Sequence, residues 1–87
     1  MILTRSPATA WRVIEGEAVI LSLDTKVFRG LNAVGSRVWE LIDGRNGMDE
    51  IVEVIVREFD VTRERAVAAV GAFVQQLIEK GLVTAVS

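Results

Sequence analysis

The side chains that most often carry out chemistry in proteins are scarce in this sequence. It contains no histidine and no cysteine, which removes the commonest general base, the thiol nucleophile and the usual zinc ligands. Carboxylates are present, and Asp49, Glu50 and Glu53 stand together at the start of a predicted helix. Because acidic side chains compensate the positive end of a helix dipole, we interpret them as structural. The sequence therefore predicts a protein that is not an enzyme.

A second pattern with chemical meaning is GLNAVGSR, at residues 30–37. Its glycine spacing resembles that of a phosphate-binding loop, but the Lys-Ser/Thr pair that reaches the phosphates and Mg²⁺ is missing. We therefore expect no nucleotide site here, and we predict neither a cofactor nor a bound metal.

Size and charge exclude several classes of partner. The 87 residues, numbered 1–87, suffice for a single domain, and 10 basic against 12 acidic residues give a net charge of −2. That balance argues against a nucleic-acid partner and against an anionic membrane surface, since both require a basic face. No apolar run approaches the roughly 20 residues that span a bilayer, and the start resembles no signal peptide. The sequence predicts a cytoplasmic protein.

The first third of the chain has the period of two that indicates β-strands. Residues 8–15, 17–23 and 26–31 read as three strands, separated by turn signals at Glu15-Gly16 and Asp24-Thr25. The simplest topology is an antiparallel meander, in which the first and third strands are edges.

The period then changes to that of helices. A first helix follows the N-cap Asn32 and ends at Gly44, a second covers 48–59, and a third follows the N-cap Thr62 and runs to about Lys80. The closing LVTAV can form a short strand or a docked tail. Three strands followed by three helices predict an α+β fold with one sheet face covered by helices.

The order of these elements and their cap and core residues resembles the PqqD-like family. The matching residues are Leu31-Asn32, Val38-Trp39, Leu41, Asp43-Gly44, Glu50-Ile51, Val70, Phe73, Val74, Leu77, Gly81 and Leu82. The resemblance covers nearly the whole chain after about residue 10. Two positions depart from the family pattern: Gly47 stands where many relatives have Thr, and Ala69 where many have Asp. The second change makes the third helix more apolar.

The resemblance implies a winged helix-turn-helix fold and the role of a RiPP recognition element. Such proteins bind the leader of a ribosomally made precursor peptide, which adds as a strand beside the third strand and against the third helix. We expect a lasso-peptide precursor, with a leader peptidase and a cyclase as further partners. The alternative within this class is a peptide chaperone of a pyrroloquinoline quinone pathway or a radical-enzyme pathway.

The residues themselves are compatible with strand addition. The third strand has no proline and few charges, so its edge can accept another strand, including one from a second copy of this protein. Backbone pairing alone nearly cancels against the entropy of ordering the peptide, so apolar contacts must supply the affinity. The predicted leader-binding residues come from the third strand and from one flank of the third helix: Lys26, Val27, Phe28, Arg29, Gly30, Leu31, Ala66, Ala69, Val70, Phe73, Gln76 and Leu77.

Two alternatives belong to other classes of protein. The second and third helices could form the helix-turn-helix of a DNA-binding regulator, with Arg63 and Arg65 near the start of the reading helix. The polar side of that helix is nearly balanced in charge, however, which argues against this alternative. A subunit that only scaffolds an enzyme is the other alternative.

Overall fold

The structure is a computed structural model that describes residues 2–86. Along the chain the elements are β1 (Ile2–Arg5), β2 (Thr9–Ile14), β3 (Glu17–Ser22), β4 (Phe28–Gly30), α1 (Ala33–Leu41), β5 (Asp43–Gly47), α2 (Met48–Glu58), α3 (Arg63–Glu79) and β6 (Val83–Val86). The α+β class is confirmed, and the three predicted strands are present as β2, β3 and β4, followed by the three predicted helices.

The predicted meander exists as an antiparallel sheet of strand order β2-β3-β4. Glu15 and Gly16 both have positive φ, 53° and 83°, as the tightest hairpin turns require. Ala18 and Ile20 on β3 are buried, whereas nearly all of β2 is exposed. One face of this sheet therefore packs on the helices while the other faces solvent, as the alternation predicted.

A second antiparallel sheet, of order β5-β1-β6, was not predicted. Its central strand β1 pairs with two segments that lie far away in sequence: Ile2 is opposite both Gly47 and Val86. The sequence GRNG, residues 44–47, predicts only a tight turn between the first two helices. It is both turn and strand, because Gly44 adopts a φ of 86° while the segment still pairs with β1. The closing segment forms β6, so the strand alternative is the correct one.

Both predicted N-caps are confirmed by side-chain hydrogen bonds. The Asn32 Oδ1 accepts from the Gly35 N–H at 2.8 Å, and the Thr62 Oγ1 accepts from the Arg65 N–H at 3.2 Å. The first helix ends at Leu41, earlier than predicted, because β5 begins at Asp43. A strand between α1 and α2 makes the winged helix-turn-helix description a loose one.

The hydrophobic core joins the two sheets to the helices. Trp39, expected in the core, is fully buried and makes an edge-to-face contact with Trp11, their ring centroids 6.2 Å apart. The Arg5 guanidinium lies 4.8 Å from the Trp11 ring centroid and donates a hydrogen bond to the Trp39 carbonyl. These contacts connect β1, β2 and α1. Within residues 2–86, no helix is long and apolar enough to cross a membrane.

Candidate functional site

The outer edge of β4 carries backbone groups that no other strand of residues 2–86 covers. On its inner edge, the Ser22 N–H donates to the Val27 carbonyl at 3.1 Å, and the Leu31 N–H donates to the Ala18 carbonyl at 2.9 Å. Antiparallel pairing alternates direction along a strand. The N–H and C=O groups of Phe28 and Gly30 therefore point to the open side, where they can pair with another chain.

A buried hydroxyl fixes this edge strand to the first helix. The Ser36 Oγ accepts from the Ala18 N–H at 2.7 Å and donates to the Leu31 carbonyl at 3.3 Å. Ser36 is 3% exposed, so both groups would otherwise lack partners in the core. Sequence reasoning missed this residue, because a serine inside a helix looks like an ordinary polar position until its partners are known.

The open edge borders a cavity of about 530 Å³ between β4 and α3. Leu31 belongs to one wall, Ala69 and Phe73 to the opposite one, and Val34 with Val38 to the α1 side. Gly35 lies beside the aromatic wall: a Cβ there would be in ordinary contact with the Phe73 Cζ, at 3.4 Å, and closer, at 3.2 Å, to the Asn32 Oδ1 that caps the helix. The result is an apolar groove whose rim carries free backbone groups. We call it the β4–α3 groove.

A smaller cavity of about 310 Å³ continues the groove past Arg29. Arg29 lines both cavities, with Leu31 on one side and Val27 on the other. Lys80 and Leu82 form the far wall of the smaller cavity, just after α3 ends. The two cavities together follow the whole length of the edge strand.

The predicted site residues fall into three groups. Seven of them line the larger cavity: Arg29, Gly30, Leu31, Ala66, Ala69, Val70 and Phe73. Val27 lines the smaller cavity. The structure brings these eight together.

The remaining four predicted residues line neither cavity. Lys26 occupies the turn before β4 with a φ of 61°. Phe28 is 70% exposed and shares the outer face of the sheet with Leu21, its partner on β3. Gln76 is exposed on α3, and Leu77 is fully buried in the core.

Some lining residues were not among those predicted. They include Asn32, Val34, Gly35, Val61 and Arg65. The sequence indicated a cap at Asn32 and a first helical turn at Arg65, but neither signal says that the side chain faces β4. Only the packing of α1 and α3 against the sheet provides that information.

The groove is positively charged although the protein as a whole is acidic. Arg29 and Arg65 line the larger cavity, Arg29 and Lys80 line the smaller one, and no carboxylate lines either. The ion pairs found within residues 2–86 are elsewhere.

One of those ion pairs is bidentate. The Arg37 guanidinium donates to both Glu58 oxygens, at 2.8 and 3.0 Å. This hydrogen bonding raises the pKa of Arg37 and lowers the pKa of Glu58. The pair connects α1 to α2 and involves none of the cations that line the groove, Arg29, Arg65 and Lys80.

The groups present at this site are suited to binding. Residues 2–86 contain no group of three acidic side chains placed to hold a metal ion. The groove supplies free backbone donors and acceptors, apolar walls and positive charge. Such a surface suits an extended polypeptide that adds to a sheet and places alternate side chains in cavities.

Comparisons with known proteins agree with this description. No curated protein matches the sequence. The solved chain described as "TbiB1 in Complex with the TbiA(beta) Leader Peptide" is 33% identical, covers 97% of this chain and 98% of its own, and has a TM-score of 0.88. "Lasso peptide synthetase B1 complexed with the leader peptide" shares the fold, with 20% identity, 98% and 100% coverage and a TM-score of 0.84. The family described as coenzyme PQQ synthesis protein D (PqqD) matches residues 17–83, and the chain belongs to that family.

Proposed function

We propose that this protein binds the leader of a ribosomally made precursor peptide, of the lasso-peptide class, along the β4–α3 groove. The observation that carries the proposal is the open edge of β4, whose unpaired backbone groups border an apolar cavity of about 530 Å³. The 33% identical relative is described as a complex with a leader peptide, which supports the same role here.

The leader adds as a further strand next to β4. Its backbone pairs with the outward N–H and C=O groups of Phe28 and Gly30, giving up to four hydrogen bonds. Each nets about 1 kcal/mol, while ordering a peptide residue costs about 1–2 kcal/mol. Affinity therefore depends on apolar side chains in the groove, each contributing about 1.5–3 kcal/mol when buried. Ala69 and Phe73 form the wall that such side chains contact.

In this proposal the protein is an adaptor without catalytic groups of its own. It holds the leader, while a leader peptidase and a cyclase carry out the chemistry on the precursor. A pyrroloquinoline quinone or radical-enzyme pathway would use the same groove with different partner enzymes. The neighbouring genes would discriminate between the two: a peptidase and an asparagine-synthetase-like cyclase encoded beside this protein would favour the lasso pathway, and a radical enzyme would favour the other. The cytoplasmic location stays a prediction.

A titration followed by NMR tests the binding site. Isotope-labelled protein is mixed with the leader of the precursor encoded beside its gene, and backbone amide shifts are recorded. The amides of Phe28 and Gly30 should shift most, because they gain acceptors, and those of Ala69 and Phe73 should follow. Arg57, exposed at the end of α2, serves as the internal control.

Two results contradict the proposal. Shifts confined to residues away from β4 and α3 would exclude the groove as the leader site. Tight, salt-sensitive binding of duplex DNA without binding of the leader would favour the regulator instead. Arg63, one of the two arginines at the start of α3, is paired with Glu53, which reduces its availability to phosphates.

A further inference from the structure

We infer that the groove selects an acidic residue in its guest, at the position opposite Arg29, with an apolar residue two positions away in the direction of Leu31. This inference rests on the proposed strand addition and adds the chemistry of the guest to it. The guest is thus a peptide that reads acidic-x-apolar over three residues, with the intervening side chain on the outer face of the sheet.

The register follows from the backbone of the edge strand. We take the guest strand to run antiparallel to β4, as the other pairs of this sheet do. Phe28 and Gly30, whose backbone groups point outward, then form the hydrogen-bonded positions of the new pair. Arg29 then occupies the position between them, where side chains of directly opposite residues lie closest. Paired residues share a face of the sheet, and Arg29 faces the groove. The guest residue opposite Arg29 therefore points its side chain to the same side as the guanidinium.

The next guest residue on that face lies opposite Leu31. Strand alternation places it two positions away, at the cavity of about 530 Å³. Ala66, Ala69 and Phe73 line that cavity on the α3 side. An apolar side chain fits these walls, whereas a basic one would lose its hydration there without gaining a partner. Arg65, which also lines this cavity, is itself exposed to solvent.

Arg29, which lies opposite the proposed acidic residue of the guest, has no counterion among residues 2–86. Arg29 is only partly exposed, lies opposite Ile20 on the face that packs on the helices, and forms no ion pair with any residue of 2–86. Lys80 lies on one side of it and Arg65 on the other, both lining the same groove. A guest carboxylate would give this guanidinium a partner in a partly desolvated site, where charged hydrogen bonds are strong.

The positive charge of Arg29 also disfavours a second copy of the protein as the strand that pairs with β4. Two copies that paired through the centre of β4 would place Arg29 opposite Arg29. Like charges directly opposite one another destabilise a strand pair. An inward-pointing charge on an edge strand also hinders unwanted pairing in general. Arg29 therefore rejects self-association and accepts an acidic peptide.

Phage display of random 12-residue peptides tests the inference with no cognate leader required. The library is selected on the unchanged protein, on Arg29→Glu and on Arg12→Glu. Arg12, exposed on the outer face of the same sheet, provides a control with the same change in net charge. The unchanged protein and Arg12→Glu should enrich acidic-x-apolar peptides. Arg29→Glu should enrich a basic residue at the same position.

Affinity measurements on one enriched peptide complete the test. Replacing its acidic residue with the neutral amide should weaken binding to the unchanged protein about tenfold, and should change binding to Arg29→Gln little. Thermal melting of each variant verifies that it is folded.

The possible failures are distinguishable. Enriched peptides without a charge preference at that position, or the same preference on Arg29→Glu, would overturn the inference and leave leader binding intact. No enrichment on any of the proteins, together with no amide shifts from the leader, would overturn leader binding and the inference together.

Discussion

The two sheets of this protein treat their edges in opposite ways. At β5, side chains already occupy the backbone donors: the Asp43 Oδ1 accepts from the N–H groups of Arg45 and Asn46, and the Glu50 Oε1 accepts from that of Gly47. The pairing of β5 with β1 also contains a register shift, which bends an edge. At β4, by contrast, the outward groups of Phe28 and Gly30 have no such partners among residues 2–86.

This difference indicates that β4 is better suited than β5 to pair with a guest strand. Exposed strand edges promote aggregation, and proteins usually blunt them with bulges, charges or local hydrogen bonds. The β5 edge has these features, and the cavity of about 300 Å³ beside Gly47 is lined in part by the carboxylates Asp49 and Glu50. The β4 edge keeps its backbone groups free, and its single inward charge, Arg29, disfavours a second copy of the protein but not an acidic peptide. An edge that is left open beside an apolar groove is best explained by binding.

A pair of proline substitutions gives the largest expected effects. Gly30→Pro removes an outward N–H and leaves the pairing with β3 intact, and a Cβ at Gly30 would meet no atom within 4 Å. Leader affinity should fall at least about tenfold, while the free energy of unfolding changes little. Arg29→Pro removes an inward N–H instead, so it should lower the free energy of unfolding by about 1–3 kcal/mol.

Isothermal titration with the leader and chemical denaturation measure these two quantities. If Gly30→Pro binds the leader normally while remaining folded, the open edge of β4 is not the binding edge.

Ser36→Ala should weaken the attachment of the open sheet to α1. It leaves the buried Ala18 N–H without its acceptor, so we expect the free energy of unfolding to fall by about 1–3 kcal/mol. Ser22→Ala is the control, because its hydroxyl accepts only from the Thr25 N–H, in an exposed turn. Equal losses in the two variants, measured by urea denaturation, would mean that the Ser36 hydroxyl has no special role.

Phe73→Ala should affect the groove more than the fold. The ring is only partly buried, and its loss removes one apolar wall, so leader affinity should fall about tenfold. Val67→Ala, at an exposed position of the same helix, should leave affinity unchanged. Phe28→Ala should have a smaller effect on affinity, because its ring lies on the outer face. Normal leader binding by Phe73→Ala would refute the assignment of the groove wall.

The smallest effect is expected at the edge of β5, where side chains already accept hydrogen bonds from the backbone. The N–H of Arg45 lowers the pKa of Asp43 below its ordinary value of 3.8. The stabilisation this carboxylate provides is therefore complete above that value and is lost as the pH falls below it. Asp43→Asn should flatten this part of the acid unfolding profile without changing leader binding at pH 7. Thermal melts between pH 7 and pH 3 measure this pH dependence of stability. A profile that is the same with and without the Asp43 carboxylate would contradict its stabilising role.

The sequence predicts local structure well and distant pairing poorly. The meander β2-β3-β4 joins consecutive strands through short turns, so alternation and turn residues were sufficient to identify it. β1 is four residues long and pairs with residues 43–47 and 83–86. A segment that short has too little alternation to indicate a strand, and nothing local indicates its partners.

The groove, too, was predictable from the sequence only in part. Its apolar wall on α3 was predictable from the flank of the helix, and β4 from its place at the edge of the meander. Which residues of α1 line the groove depends on how that helix packs, as Gly35 and Ser36 illustrate. The charge of the groove depends on the three-dimensional proximity of Arg29, Arg65 and Lys80, which are up to 51 positions apart.

The walls of the groove are anchored in separate parts of the molecule. β4 belongs to one sheet, whereas α3 leads through Leu82 into β6 and so into the other. A peptide held between them would add a direct connection between β4 and α3, besides the packing and the Arg5 contacts that already join the two sheets. Peptide binding should therefore raise the melting temperature of the entire domain, in proportion to the logarithm of the peptide concentration at saturation. The melting temperature then reports directly whether the groove is occupied.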